Sequence, residues 1–164
     1  MSVRTKHRSP FLLLASLTLA LLSIFPSVVA QEKFQSGILI TIKREACFGS
    51  CPIYSAQIFN DGTVVYVGEE YVKVKGERRH KISKDRVDAL MKAFARIEYF
   101  SLQDRYEVDE TGRSVTDQPT TTTSFSLNGK QKKVVDYYGA PKELVELEHL
   151  IDKLAGLYEY IGPL

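Results

Sequence analysis

The sequence predicts an α+β domain in which an antiparallel sheet of about five to six strands carries two amphipathic helices on one face. Three observations lead to this prediction. Short runs alternate apolar and polar residues with the period of a strand, turn residues separate these runs, and two segments repeat apolar residues at helical spacing. The predicted order is four or five strands, a helix, two strands and a second helix. Strands joined by hairpins are typical of antiparallel sheets.

The first strands surround a loop that contains both cysteines. Residues 38–43 alternate isoleucine with leucine, threonine and lysine, which is the period-two pattern of a strand. The runs IYSAQIF and TVVYVG flank the tripeptide NDG at 60–62, whose residues tolerate positive φ and indicate a hairpin. The segment YVKVKG at 71–76 alternates again, and residues 80–82 are predicted to return as a short strand.

Two later segments are predicted to form helices. Residues 84–98 follow Ser83, whose hydroxyl suits a helix N-cap, and their apolar residues recur at helical spacing. Residues 101–118 are polar and acidic, which predicts a long loop. Two further strands meet at the turn NG at 128–129, and the final helix begins near Pro141. The apolar stripe of this last helix consists of Leu144, Leu147, Ile151, Leu154 and Tyr158.

Residues 1–30 have the organisation of a secretory signal peptide. A basic start precedes an apolar, uncharged run of 15 residues, and small residues end the segment at Ala30. The apolar run is shorter than the roughly 18 residues that indicate a membrane-spanning helix. We therefore predict cleavage after Ala30, a single mature domain at residues 31–164 without a transmembrane span, and a periplasmic or secreted location.

Removal of this segment changes the charge of the chain. The whole sequence has 22 basic and 20 acidic residues, whereas residues 31–164 retain 19 basic and 20 acidic ones, a net charge of −1. A nucleic-acid-binding domain is strongly basic, so this balance argues against a nucleic-acid partner. A basic stretch at 73–84 is predicted to line an exposed strand and to discourage edge-to-edge aggregation. Attraction of this stretch to anionic lipid or cell-wall polymer is the alternative.

Cys47 and Cys51 are the two cysteines of the sequence and lie four residues apart. A disulfide needs Cα atoms about 4.4 to 6.8 Å apart, whereas four steps of extended chain span roughly 13 to 14 Å, so the chain must turn. Gly49 permits this turn because glycine adopts positive φ without a steric penalty. An oxidising compartment would preserve the bond. We therefore favour a structural disulfide.

Thiol chemistry is the alternative for the cysteine loop. The pattern C-x-x-x-C-P resembles the copper-binding motif of thioredoxin-like copper chaperones, and two thiolates at this spacing suit copper(I). That family also needs a histidine ligand downstream, and His149 is predicted to face solvent. A redox-active pair with one thiolate of lowered pKa is a further possibility.

Several motifs together resemble a known family. The stretch CFGSCPIYSAQIFNDGTVVYVG, then TDQP, then DYYGAP and a leucine-rich final helix resemble an exported bacterial domain of unknown function, number 6438. The resemblance spans roughly residues 38 to 160. It implies a small α+β domain in exported bacterial proteins, and it implies no activity. The matching motif residues are Arg44, Cys47, Gly49, Cys51, Pro52, Tyr54, Gly62, Asp117, Tyr138, Gly139 and Pro141.

Polar residues at strand ends and in loops form a candidate ligand pocket at one end of the sheet. An arginine that faces carboxylates and tyrosines suits a small ligand or a peptide terminus. A structural role is the alternative, in which Asp117 caps a turn and a tyrosine packs in the core. The candidate pocket residues are Arg44, Tyr54, Asp117, Asp136, Tyr137 and Tyr138.

Common enzyme signatures are missing from the sequence. It has no G-x-S-x-G, no H-E-x-x-H and no phosphate-binding glycine loop, and residues 31–164 contain two histidines, His80 and His149. We therefore predict a non-catalytic exported module that binds a protein, a cell-wall component or a small ligand. The alternative function is thiol-redox or copper handling. We nominate no catalytic residue, metal ligand or cofactor.

Overall fold

The computed structural model describes residues 37–162, and the predicted signal peptide at residues 1–30 lies outside them. The described residues form a seven-stranded sheet with three helices, which confirms the predicted α+β class. The strands are β1 (Ile38–Arg44), β2 (Ile53–Phe59), β3 (Thr63–Glu70), β4 (Gly76–Lys81), β5 (Arg105–Tyr106), β6 (Thr121–Leu127) and β7 (Lys130–Asp136). The helices are α1 (Lys84–Arg96), α2 (Lys142–Leu154) and α3 (Tyr158–Ile161), and a 3-10 turn at Tyr99–Ser101 follows α1.

The strand order in the sheet is β4-β3-β2-β1-β6-β7-β5. Neighbouring strands are antiparallel except β5 and β7, which run parallel, so the sheet is mixed rather than purely antiparallel. The pairing of β1 with β6 brings the two predicted groups of strands into one sheet. The sheet therefore has one strand more than the five to six predicted, and the additional strand is the two-residue β5.

The segment at 71–76 is predicted as a strand, but its first five residues form bends and irregular chain, and β4 begins at Gly76. The side chain of Val72 packs against the core. The backbone amide of Val74 donates to the carbonyl of Tyr160 at 2.9 Å. The alternation of this segment therefore reflects packing and pairing with the C-terminal part of the domain rather than a position in the sheet.

The first predicted helix is observed, and the second is divided in two. The hydroxyl of Ser83 accepts a hydrogen bond from the Arg86 amide, as predicted for an N-cap, and α1 ends two residues before the predicted boundary. Residues 155–157 form a turn between α2 and α3. No helix within residues 37–162 has the length and apolar character needed to cross a bilayer.

The two longer helices pack on one face of the sheet. Ile40 and Ile42 of β1 are fully buried, and the side chains of Leu90 in α1 and Ile151 in α2 belong to the same core. A shift of one residue in the register of β1 would turn the isoleucines away from the helices, so this burial fixes the register. Arg44 follows two residues after Ile42 and is therefore on the helix-covered face.

Candidate functional site

A row of paired residues crosses five strands at one end of the sheet. Arg44 of β1 is paired with Tyr54 of β2 on one side and with Thr121 of β6 on the other. Thr121 is in turn paired with Asp136 of β7, and Asp136 with Tyr106 of β5. Directly paired residues of neighbouring strands lie on the same face of a sheet. We call these five residues the cross-strand row, and the helix-covered face carries it.

Helix α2 adds two carboxylates to this row. Glu148 and Asp152 lie one turn apart on the same side of the helix and are 3% and 0% exposed. They share that side with Leu144 and Ile151, which are fully buried. Two acidic side chains thus lie within the buried surface of the helix, where an ionised group is costly unless it has a partner.

Arg44 is the centre of the resulting cluster. Its Nε donates to the Tyr54 hydroxyl at 2.9 Å, its Nη1 to the Thr121 hydroxyl at 2.9 Å, and its Nη2 to Oδ2 of Asp152 at 2.8 Å. The Tyr54 hydroxyl donates to Oδ1 of Asp152 at 2.7 Å. Oε2 of Glu148 lies 3.9 Å from Nη1 of Arg44, while its buried Oε1 has no hydrogen-bond partner among the described residues. We call these five residues the Arg44 cluster.

Burial and neighbouring charges shift the pKa values of these groups. Burial raises the pKa of Glu148 to about 8, and the Asp136 carboxylate adds to this rise, whereas Arg44 opposes it. Burial also raises the pKa of Asp136 and, together with the charge of Asp152, that of Tyr54. Burial alone would lower the pKa of Arg44, but Asp152 and Tyr54 reverse this and raise it. Glu148 is therefore mostly protonated at neutral pH, and the close ion pair of the cluster is the one between Arg44 and Asp152 at 2.8 Å.

Three of the predicted pocket residues meet in this arrangement. Arg44 and Tyr54 are hydrogen-bonded to each other, and Asp136 occupies the same row. Tyr137 and Tyr138 are partly buried just beyond β7, and their backbone amides donate to the last carbonyl of β5 at 3.0 and 3.2 Å. These two tyrosines therefore fix β5 to the sheet through their main chain.

Asp117 is the predicted pocket residue that the structure places apart from these contacts. It is exposed on the loop before β6, has a left-handed backbone with φ 65°, and is not a hydrogen-bond or ion-pair partner of the Arg44 cluster. Sequence reasoning missed three members of the cluster: Thr121, Glu148 and Asp152. The burial of the two acidic residues could have been predicted from the sequence, because positions 148 and 152 fall within the apolar stripe of the final helix.

A disulfide between Cys47 and Cys51 closes the loop that joins β1 to β2, with 5.8 Å between the Cα atoms. Gly49 has φ 152° and its amide donates to the Cys47 carbonyl at 2.9 Å, so glycine permits the turn as predicted. Phe48 in this loop is 89% exposed. His149, the histidine that the copper alternative requires, is exposed on α2. Within residues 37–162, no group of three or more His, Cys, Asp or Glu side chains is arranged to hold a metal ion.

A cleft of about 610 Å³ lies next to the cross-strand row, and we call it the β5 cleft. Gln103 and residues 105–110, which include β5, form one wall, and residues 139–143, which lead into α2, form the other. Gly139 has φ 79°, and a Cβ at this position would lie 2.1 Å from the Val108 carbonyl oxygen, so only glycine allows the two walls to approach this closely. Tyr106 belongs both to the row and to the cleft lining. The cleft volume is in the range of small-ligand sites.

A family model matches most of the chain. The model described as a domain of unknown function, DUF6438, matches residues 38–155. The chain belongs to this family. No curated protein matches the chain. The matched part of the 6438 domain begins with β1 and ends just after α2, so it includes the cross-strand row, the disulfide loop and both walls of the β5 cleft.

The disulfide of the 6438 domain should contribute modestly to its stability. We expect the double variant Cys47→Ala/Cys51→Ala to lower the free energy of unfolding by about 2 kcal/mol, the chain-entropy value for so short a loop. Urea unfolding of the oxidised protein, the reduced protein and the double variant measures this loss. Ser50→Ala, in the same exposed loop, is the control and should change little. An unfolded double variant would show instead that the bond is required for folding.

Proposed function

We propose that this 6438 domain is an exported, non-catalytic binding module, periplasmic or secreted, whose ligand occupies the β5 cleft. The observation that carries this proposal is the cleft itself, a concave surface of ligand size beside a rigid row of paired strands. The disulfide loop and the loop before β6 meet at the same end of the sheet, because the Glu45 amide donates to the Thr120 carbonyl at 2.9 Å. Binding residues are commonly found on loops that a rigid scaffold holds in place.

The Arg44 cluster supports a scaffolding role beside the cleft. Each of the three guanidinium nitrogens of Arg44 donates to a side chain of the domain, and both oxygens of Asp152 accept internal hydrogen bonds. A general acid or base must instead reach a proton of the substrate. The cluster therefore serves to tie α2 to β1, β2 and β6 and so to hold one wall of the cleft against the sheet.

Two features support export. Residues 1–30 follow the signal-peptide pattern, and a disulfide persists in oxidising compartments such as the periplasm or the extracellular space. The predicted cleavage after Ala30 leaves all seven strands in the mature domain, because β1 begins at Ile38. An intact mass that corresponds to a mature chain starting at Gln31 is the expected result for protein from the envelope or the medium of its native cells.

Site-specific photo-crosslinking tests the binding role. A photoreactive phenylalanine analogue would replace Gln103, which is exposed and lines the β5 cleft, in the full-length chain expressed in its native cells. The matched control is the same analogue at Leu127, which is 37% exposed at the opposite end of the sheet. We expect a discrete crosslinked product from position 103 and none from position 127. The same products at both positions, or none at 103, would contradict the proposal.

A further inference from the structure

We infer that the ligand of the β5 cleft is an extended, basic peptide segment that adds to the sheet as a strand along the outer edge of β5. This inference rests on the proposed function and names the class of ligand. Strand addition of this kind takes its affinity from main-chain hydrogen bonds and its specificity from the side chains that alternate along the added strand. Three properties of the cleft support it: the direction of the backbone groups of β5, the charge of the lining, and the nature of the opposite wall.

The backbone of β5 presents unpaired groups to the cleft. β5 is the last strand of the sheet, and in the described part of the chain its outer side has no strand partner. The carbonyls of Asp104 and Tyr106 accept hydrogen bonds of 3.0 Å from backbone amides of β7 and of the residue after it. Backbone groups of successive strand residues point to opposite sides, so the amides and carbonyls of Arg105 and Glu107 point away from β7. Both residues line the cleft.

The other edge of the sheet is protected against such pairing. β4 is exposed along most of its length and carries the basic side chains of Arg78, Arg79 and Lys81. Arg79 forms an ion pair with Glu77 at 2.7 Å, and Lys81 one with Asp61 at 3.3 Å. Charged side chains along an edge strand discourage pairing with another chain. β5 also carries a charged residue, Arg105, so what distinguishes it from β4 is its position beside a cleft.

The charge of the cleft favours a basic ligand. Arg105 forms an ion pair with Glu107, and Asp109 forms one with Arg113. Acidic residues outnumber basic ones in the lining, which contains Glu107, Asp109, Glu110 and Glu143 against Arg105 and Lys142. Glu110 and Glu143 have no ion-pair partner within residues 37–162. Lysine or arginine side chains on a bound strand would complement these two carboxylates.

The wall opposite β5 suits packing rather than further pairing. Pro141 has no backbone amide hydrogen, so it cannot extend a ladder of hydrogen bonds. Ala140 and Pro141 on this wall, with Val108 on the other, give the cleft an apolar part. The fixed approach at Gly139 holds the two walls in place before a ligand arrives, which lowers the entropy cost of binding. A bound strand therefore pairs with the outer edge of β5 and packs side chains against the apolar part of the cleft.

Fluorescence anisotropy with a defined peptide tests this inference. The probe is a labelled, end-capped hexapeptide that alternates lysine with threonine, added to the mature chain. We expect it to bind. A version with glutamate in place of lysine, and a version with N-methylated amides that cannot pair along an edge, should each bind about tenfold more weakly or not at all.

Variants of the protein separate main-chain pairing from charge. Arg105→Pro removes the outward-facing amide hydrogen without altering the bonds to β7, and an edge strand tolerates proline. It should weaken peptide binding about tenfold, whereas Arg105→Ala should not weaken it. Glu143→Lys should weaken binding, and the same change at Glu159, which is exposed on α3 and outside the cleft lining, should not. If Arg105→Pro does not fold, the N-methylated peptide still tests main-chain pairing.

Each outcome distinguishes this inference from the proposed function. Equal binding of the N-methylated peptide would overturn pairing along β5, and tighter binding of the glutamate peptide would overturn the choice of a basic ligand. If no peptide binds while crosslinking from position 103 persists, strand addition is wrong and the binding role stands. If crosslinking from position 103 also fails, the proposed function is wrong as well.

Discussion

Replacing Arg44 by alanine should lower the free energy of unfolding by about 3 to 5 kcal/mol, because the buried Asp152 carboxylate then lacks its cationic partner. The side chains of Arg44 and Asp152 are 14% and 0% exposed, so water cannot replace the lost interaction. Domains are typically stable by about 5 to 15 kcal/mol, so this variant would be close to the limit of folding. Urea unfolding at neutral pH, followed by circular dichroism, measures the loss.

A neighbouring residue supplies the control for this prediction. Lys43 precedes Arg44 on the other face of β1, and its side chain is 49% exposed in an ion pair with Glu45. Lys43→Ala should therefore cost less than about 1 kcal/mol. An Arg44→Ala variant as stable as Lys43→Ala would show that the cluster contributes nothing to stability.

A double variant distinguishes an unpaired charge from a general loss of packing. Arg44→Met combined with Asp152→Leu removes both charges and keeps apolar volume in the core. It should be less destabilised than the sum of the two single variants, because neither charge is left buried alone. Tyr54 would still lose both of its hydrogen-bond partners, so a residual loss of about 1 to 3 kcal/mol is expected. If the stability losses of the two single variants simply add up in the double variant, Arg44 and Asp152 are not energetically coupled.

The sequence predicts most of the fold because the signals for hairpins and amphipathic helices are local. The turn at 60–62 and the one at 128–129 are both observed between paired strands. β5 could not be predicted in this way, since it has two residues and pairs in parallel with a strand about thirty positions away. The prediction of a strand at 71–76 was wrong for a related reason. The alternating residues of this segment pack against the core and pair with the C-terminal part of the domain instead of joining the sheet.

Part of the candidate site could also be predicted from local features of the sequence, whereas the rest depends on contacts between distant residues. Arg44, Tyr54 and Asp136 lie near strand ends, where a polar residue next to an apolar run is easily recognised in a sequence. Asp152 was missed because its burial depends on Arg44, which is 108 residues away in the chain. Burial of a carboxylate on the apolar side of a helix is unfavourable by itself. Only an ion pair or hydrogen bond with another part of the fold offsets this cost. The exposed position of Asp117 likewise depends on how its loop folds.

Replacing Glu148 by glutamine should stabilise the protein at alkaline pH and flatten the pH dependence of its stability. Burial raises the pKa of Glu148 from its ordinary value of 4.5 to about 8, and the Asp136 carboxylate adds to this rise. The folded state therefore binds more protons than the unfolded state between these two values. The contribution of Glu148 is fully present below pH 4.5 and is lost as the pH rises through 8. One pKa unit corresponds to about 1.4 kcal/mol, so the loss across this window is at most about 5 kcal/mol.

Urea unfolding at about pH 5, 7 and 9 measures this effect as a difference between variants. Glutamine resembles the protonated acid in shape, so Glu148→Gln should differ little from the wild type at the lowest pH and exceed its stability by several kcal/mol at the highest. Glu146→Gln is the matched control, because Glu146 is exposed on the same helix and should show no such trend. A carboxylate whose pKa is lowered, such as Asp109 with a pKa of about 2, instead loses its stabilising contribution as the pH falls. Parallel curves for the wild type and Glu148→Gln would therefore show that Glu148 is ionised in the folded domain, and the charge balance assigned to the Arg44 cluster would be wrong.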